Sequence, residues 1–127
     1  MKDAVSIPVI GNGDIFTPEQ FKARLAQSGV DAIMVARGAI ANPAIFKQIN
    51  DYLNTNTYEP IDKIELFGEY QQYAKKYNIP FQQLKTHALG FTKGMPSSTV
   101  LRQAISVCQS VEELEQCIEK VHVPLQQ

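Results

Sequence analysis

Two short apolar runs near the start of the chain each end in a polar turn that contains glycine. The runs and their turns are IPVI with Gly11-Asn12-Gly13-Asp14 (residues 7–14) and AIMV with Ala36-Arg37-Gly38-Ala39 (residues 32–39). A helix start follows each turn. A strand, a turn and a helix in this order form the repeating unit of a parallel α/β structure. The pattern therefore predicts two βα units at the beginning of the chain.

Capping residues predict where the helices of these units begin and end. Thr17-Pro18-Glu19-Gln20 combines an N-cap threonine, a proline at the first helical position and a glutamine at the third. Ser28-Gly29 marks the end of the first helix, and Val30 leads into the second strand. Asn42-Pro43 is the start that we expect for the second helix.

The glycine turns indicate a phosphate site. Backbone N–H groups in such turns bind phosphate oxygens, and in a (β/α)8 barrel the favoured phosphate site lies after the last two strands. At 127 residues the chain is too short for a whole barrel, which needs about 200 residues or more. We therefore expect residues 1–57 to be the last two βα units of such a barrel.

Residues 54–60 (NTNTYEP) have linker composition, and the pattern beyond them is helical throughout. We place the domain boundary there, with an all-α domain over residues 58–127. Four amphipathic helices with short connections predict a small four-helix bundle. The apolar positions of the first and third of these helices are Leu66, Phe67, Tyr70, Tyr73, Ala74 and Tyr77, then Val100, Leu101, Ala104, Ile105 and Cys108.

Cys108 and Cys117 are the only cysteines, and their spacing is not that of metal ligands. Both fall at apolar positions of predicted helices, so we expect buried structural thiols rather than a disulfide or a nucleophile. No apolar run approaches the length of about 18 residues that a membrane span needs. The first residues lack the apolar core of a signal peptide, and we expect a cytoplasmic location.

Charge is unevenly distributed along a chain whose net charge is only −1. No Asp or Glu occurs between Glu69 and Glu112, and that interval holds Lys75, Lys76, Lys85, Lys93 and Arg102. Such segregation concentrates positive potential, as a partner with a phosphate backbone requires. His87 and Tyr77, which can hydrogen-bond or stack on bases, are interleaved with these charges. The alternative is a solvated face that lacks acids by chance.

Several motifs then match a known family in order and spacing. The motifs are residues 7–15 (IPVIGNGDI), 35–39 (VARGA) and 42–46 (NPAIF), followed by 85–87 (KTH), 90–94 (GFTKG) and 101–102 (LR). The first three resemble the end of the flavin barrel in tRNA-dihydrouridine synthases. The last three are similar to the C-terminal helical domain of that family, which holds the tRNA. The resemblance covers almost the whole chain.

The resemblance implies an FMN enzyme that reduces the C5–C6 double bond of uridines in tRNA, with NADPH supplying the hydride to the flavin. It also implies that the general acid is a cysteine on an earlier barrel loop. Neither Cys108 nor Cys117 matches that position, so we assign no catalytic residue. We expect an N-terminal barrel segment of the same protein to precede this chain, and the isolated chain to be inactive.

The same resemblance selects candidate site residues. For the FMN phosphate they are Asn12, Gly13, Asp14, Ala36, Arg37 and Gly38. Glycine lets a backbone approach a phosphate closely, and Arg37 can add a charge-assisted pair to the phosphate oxygens. For RNA they are Lys85, His87, Lys93 and Arg102. Arg102 stands out because it has no acidic neighbour in the sequence.

Two other functions remain open from the residues alone. One is a stand-alone helical RNA-binding module without enzymatic activity. The other is a fragment of a different phosphate-binding barrel enzyme that acts on small metabolites, although this leaves the acid-free helices unexplained.

Overall fold

The computed structural model describes residues 2–120 of the chain. These residues form two compact units, one ending at Pro60 and the other beginning at Ile61. The division falls at the end of the segment with linker composition. Within the described residues, no helix has the length and apolar character to cross a membrane.

The first unit is a mixed α/β structure around a two-stranded parallel sheet. Its elements in chain order are a short 3₁₀ helix (Lys2–Ala4), β1 (Ile10–Asn12), α1 (Pro18–Ser28), β2 (Ala32–Met34), α2 (Arg37–Ala41) and α3 (Ile45–Thr55). Ile10 pairs with Ala32 and Asn12 with Met34. A small core of Ile15, Val35, Ile45 and Ile49 lies beneath the sheet ends. The mixed α/β class predicted from the sequence is confirmed.

Strand β1 begins at Ile10, three residues later than the apolar run that predicted it. Pro8 has no N–H to donate to a ladder. The next residue is held instead by Asp31, whose carboxylate accepts from Val9 N at 2.7 Å and also pairs with Lys2. The O atom of Val9 in turn accepts from Asp31 N at 3.0 Å. A side chain therefore replaces the ladder at this end of the sheet.

Helix α1 begins and ends where its capping residues predict. Thr17 Oγ1 accepts a hydrogen bond from Gln20 N at 3.2 Å, and Gln20 Oε1 accepts from Phe16 N at 2.8 Å. Gly29 ends the helix in the left-handed conformation, with φ of 63°. These reciprocal hydrogen bonds provide acceptors for N–H groups that have no partner within the helix itself.

Helix α2 was not predicted, and the expected helix start at Asn42 is wrong. Asn42 is the C-cap residue of α2, and its N–H donates to Gly38 O at 2.9 Å. The following helix, α3, begins only at Ile45. The two helices are separated by a turn in which Asn42 O accepts from Ile45 N at 3.0 Å. Asn and Pro are common at both ends of helices, so the motif alone did not decide between them.

The second unit contains the four helices predicted for it. They are α4 (Lys63–Lys76), α5 (Phe81–Phe91), α6 (Ser98–Val107) and α7 (Val111–Glu119). The most extensive contacts join α4 to α5, α5 to α6 and α6 to α7. The buried core is formed by Phe67, Ala74, Leu84, Ala88, Phe91, Leu101, Ile105, Cys108, Leu114 and Ile118.

Three apolar side chains assigned to the core face solvent instead. The exposed residues are Tyr73 of α4, Tyr77 at the C-cap of α4, and Val100 of α6. In α4 the core contacts run along Phe67, Tyr70 and Ala74. Residues 73 and 77 lie to one side of that line, because each position turns the helix by about 100°. The apolar stripe inferred from the sequence was therefore wider than the face that packs.

Candidate functional site

The two glycine turns of the first unit meet at one edge of the sheet. Since β1 and β2 are parallel and Asn12 lies opposite Met34, both turns follow the carboxyl ends of neighbouring strands. Arg37 Nη2 lies 2.5 Å from Asp14 Oδ1 and 2.5 Å from Asp14 Oδ2. The structure thus brings together the charged members of both predicted turns.

This ion pair is exposed. The side chain of Arg37 is 72% accessible and that of Asp14 is 52% accessible. Exposed pairs contribute only about 0–1 kcal/mol to stability. A guanidinium has five N–H donors, and the contact with Asp14 uses only one nitrogen. Arg37 is therefore held at the turn with donors available to a second anion.

The two glycines of the turns have different surroundings. No described atom lies within 4 Å of a Cβ built on Gly13, so this turn leaves space for a close neighbour. Gly38 is buried, and a Cβ there would lie 1.9 Å from Ile15 O. Gly38 is thus required by a backbone contact inside the protein, whereas Gly13 borders open space.

The remaining turn residues, Asn12 and Ala36, are exposed. Asn12 and Gly13 line a small cavity of about 110 Å³ together with Arg24 and Ser28 of α1. Arg24 is a basic residue that the sequence motifs missed. It lines the same cavity as the turn because α1 packs beside the strands, and no local pattern in the sequence marks that arrangement.

An open groove in the second unit brings together two of the four predicted RNA-binding residues. Lys93 and Arg102 both line this groove, which has a volume of about 610 Å³. The other lining residues are Leu89, Gly94, Ser98, Thr99, Gln103 and Ser106. Two basic side chains and several hydroxyl and amide groups therefore face one surface, which suits hydrogen bonding to phosphate and sugar oxygens.

Arg102 has a partner that its sequence neighbours did not reveal. Its Nη1 donates to Leu89 O at 2.9 Å, which ties α6 to the C-terminal part of α5. A further basic residue, Lys63 of α4, donates to Lys93 O at 2.6 Å. Burial lowers the pKa of Lys63 below its usual value. Lys63 lies outside the acid-free interval, so charge counting along the sequence did not find it.

Lys85 and His87 do not line this groove. Lys85 Nζ donates to Cys108 O at 2.9 Å and lies 5.9 Å from the ring centre of Phe81. The His87 ring packs against Tyr70, with centroids 4.9 Å apart. Both side chains are half-buried and contact their own unit.

The acid-free interval of the sequence is not free of acids in space. Lys75 Nζ forms an ion pair of 2.7 Å with Glu115 of α7. The hydrogen bond that Lys75 donates to Glu115 raises the pKa of Lys75. Part of the positive charge counted between Glu69 and Glu112 is therefore balanced by a neighbouring helix.

A family model described as dihydrouridine synthase (Dus) matches residues 1–126. A probable tRNA-dihydrouridine synthase of Rickettsia typhi is 34% identical over 116 residues, covering 84% of this chain and 35% of the relative. tRNA-dihydrouridine synthase B of Shewanella oneidensis is 40% identical over 94 residues, covering 61% of this chain and 29% of the relative. The chain spans about a third of the length of the curated relatives that it matches.

Proposed function

The chain belongs to the dihydrouridine synthase family, and from this premise we propose that it is the C-terminal portion of a flavin-dependent tRNA-dihydrouridine synthase. Residues 1–57 form the end of an FMN-binding (β/α)8 barrel, and residues 58–127 form the domain that binds tRNA. The observation that carries the proposal is that a single family match extends over both units of the structure.

The whole protein reduces uridine to 5,6-dihydrouridine in tRNA, and it draws reducing equivalents from NADPH. When bound, FMN supplies the hydride chemistry. The residues of this chain bind and orient the phosphate end of FMN and the RNA. No residue of the chain is assigned a catalytic role, and we expect the isolated chain to form no dihydrouridine.

The turns after β1 and β2 fit the phosphate of FMN. Gly13 leaves room for a phosphate oxygen against the backbone. Arg37 offers its unused donors to the same oxygens while Asp14 fixes its direction. Asn12 and Ala36 border the turns, and Gly38 supports them from inside through its contact with Ile15. Arg24 adds a second positive charge to the cavity that Asn12 and Gly13 line.

Exposed apolar side chains in the first unit support the proposal that more barrel strands belong to the protein. Ile10 is 69% accessible and Met34 is 49% accessible, although both lie in strands. In a complete barrel the faces of parallel strands are covered by side chains and helices. We propose that an N-terminal barrel segment of the same protein covers these residues.

The groove lined by Lys93 and Arg102 is the centre of the proposed tRNA surface. Its two charges contact backbone phosphates, while Ser98, Thr99 and Gln103 contribute hydrogen bonds. Lys85 and His87, which do not line the groove, contact RNA outside it in the proposal. Contacts of this kind position an RNA without reading its bases, because phosphates carry no sequence information.

The test is tRNA binding by the purified chain, measured by fluorescence anisotropy at several salt concentrations. Lys93→Ala should weaken binding and lower the salt slope by about one unit, because one phosphate contact is lost. Arg102→Ala should do the same, and Arg102→Lys should restore part of the slope. Circular dichroism of each variant separates lost binding from lost structure.

Two substitutions serve as controls. Lys120→Ala removes an exposed positive charge outside the groove, and Arg37→Ala removes one from the first unit. Both should leave tRNA binding nearly unchanged. Lys2→Ala is a poorer control, because Lys2 is paired with Asp31. Losses from Lys120→Ala as large as those from Lys93→Ala would show diffuse electrostatic attraction and overturn the assignment of the groove.

A further inference from the structure

The two cysteines of the second unit are in contact. Cys108 ends α6, Cys117 lies in α7, and their Sγ atoms are 3.5 Å apart. Both are free thiols. The expectation of two buried structural thiols therefore holds for Cys108, which is 3% accessible, but not for Cys117, which is half-buried.

The surroundings of the pair favour thiol chemistry over metal binding. Among residues 2–120, no group of three metal-ligating side chains is present, so the pair lacks the further ligands that a metal site needs. Lys85 Nζ donates a hydrogen bond to Cys108 O at 2.9 Å, which fixes the backbone of Cys108. A disulfide needs an S–S distance of about 2.05 Å, so the two sulfurs, now 3.5 Å apart, must approach by about 1.5 Å for the bond to form.

The two thiols differ in reactivity. Cys108 is buried, and burial raises the pKa of its thiol. Cys117 is partly accessible to small molecules. Because Cys117 is the more accessible of the two sulfurs, an oxidant in solution meets Cys117 first and Cys108 second.

We propose that Cys108 and Cys117 form a reversible disulfide that joins the end of α6 to α7. The oxidant is a small-molecule disulfide. The Cys117 thiol gives up its proton, its sulfur attacks one sulfur of the small disulfide, and the S–S bond of that disulfide breaks. The small thiolate that leaves takes up the proton. The Cys108 thiol then gives up its proton, and its sulfur attacks the Cys117 sulfur of the mixed disulfide. The bond from Cys117 to the small molecule breaks, and the second small thiolate takes up the proton of Cys108. Two protein thiols are oxidised, and one small disulfide is reduced to two thiols.

Glutathione redox buffers test the proposal. The reduced chain is equilibrated with reduced and oxidised glutathione at several ratios, quenched with acid and resolved by intact mass. The same titration is repeated in concentrated urea. We expect the equilibrium constant for the intramolecular disulfide to be at least about tenfold larger in the folded chain, which corresponds to about 1.4 kcal/mol.

The ratio of the two equilibrium constants should also appear in the free energy of unfolding, because a disulfide that forms more readily in the folded chain must stabilise the folded chain by the same amount. The oxidised chain should therefore unfold at a higher urea concentration than the reduced chain. Cys117→Ser, at the half-buried position, should form no intramolecular disulfide and should keep the unfolding midpoint of the reduced chain under both conditions. Cys108→Ala should behave in the same way toward glutathione.

Two results would overturn the proposal. One is an equal equilibrium constant in buffer and in urea, which would mean that the fold does not favour the bond. The other is a folded wild-type chain that yields only mixed disulfides or linked dimers, which would mean that the sulfurs do not reach each other.

Discussion

Gly13 and Gly38 occupy corresponding turns of the two βα units, yet their backbones meet different neighbours. Gly38 lies against the carbonyl oxygen of Ile15, and Gly13 borders space. A motif shows that glycine is present but not which contact requires it. The difference separates a position needed by the fold from a position available to a ligand.

Gly38→Ala should destabilise the first unit strongly. The new Cβ would lie 1.9 Å from Ile15 O, and backbone atoms on both sides must shift to relieve the clash. We expect a loss of about 3 kcal/mol in the unfolding free energy of this unit. Urea unfolding followed by the NMR amide signals of α3 measures it.

Gly13→Ala is the matched control, because its Cβ has free space and its φ is not positive. We expect a change within about 0.5 kcal/mol. A Gly38→Ala variant as stable as Gly13→Ala would contradict the close backbone contact.

The contacts of the basic residues differ in ways that the sequence alone does not predict. Lys93 and Arg102 were predicted as partners of one surface, and they do line one groove. Lys85 was predicted for the same role but donates to Cys108 O. The partner lies in another helix, and no local pattern encodes that distance. Basic residues that bind backbone carbonyls and those that face a groove look alike in the sequence.

At the level of elements, the start of α1 was predicted because its signal is local, and the start of α7 has a signal of the same kind. Ser110 Oγ accepts from Glu113 N at 3.2 Å, and the Glu113 carboxylate accepts from Gln109 N at 2.8 Å. Both bonds join residues within one turn, so the sequence contains the whole interaction. The start of β1 depends instead on Asp31, which lies 22 residues from Val9 along the chain. Helix α2 has no side-chain cap at its N-terminus, so no local signal of this kind marks it.

Ser110→Ala should lower the unfolding free energy of the second unit by about 1 kcal/mol, because α7 loses the acceptor for its first N–H groups. The measurement is urea unfolding followed by far-UV circular dichroism.

Ser106→Ala provides the comparison. Ser106 is exposed within α6, and its hydroxyl donates to Gln103 O at 2.7 Å in the same helix. Replacing it should change stability by less than about 0.5 kcal/mol, since alanine favours the helix interior. Equal losses in the two variants would mean that the Ser110 cap contributes nothing.

At the scale of the whole molecule, the two units differ in how much core they possess. The helical unit buries large side chains such as Phe67 and Phe91 completely. The α/β unit has a smaller core and leaves strand residues such as Ile10 exposed. Sheets of two strands are marginally stable unless other elements cover them.

Amide hydrogen exchange should therefore be slower in α4–α7 than in β1 and β2 when the chain is alone in dilute solution. The strands have unpaired edges and little apolar cover, so local opening costs less free energy there. NMR-detected exchange of individual amides measures the difference, and sedimentation confirms that the sample is monomeric. Uniform protection of both units in a dilute monomer would contradict the expectation.

The packing of each helix in the second unit against its neighbours in the sequence has a consequence for the order of assembly. Contacts between elements that are close along the chain close short loops, and such structures fold quickly. Helices α4 to α7 can dock one after another as they leave the ribosome. The pairing of β1 with β2 must bridge the whole of α1, so it is complete only after Met34 has been synthesised.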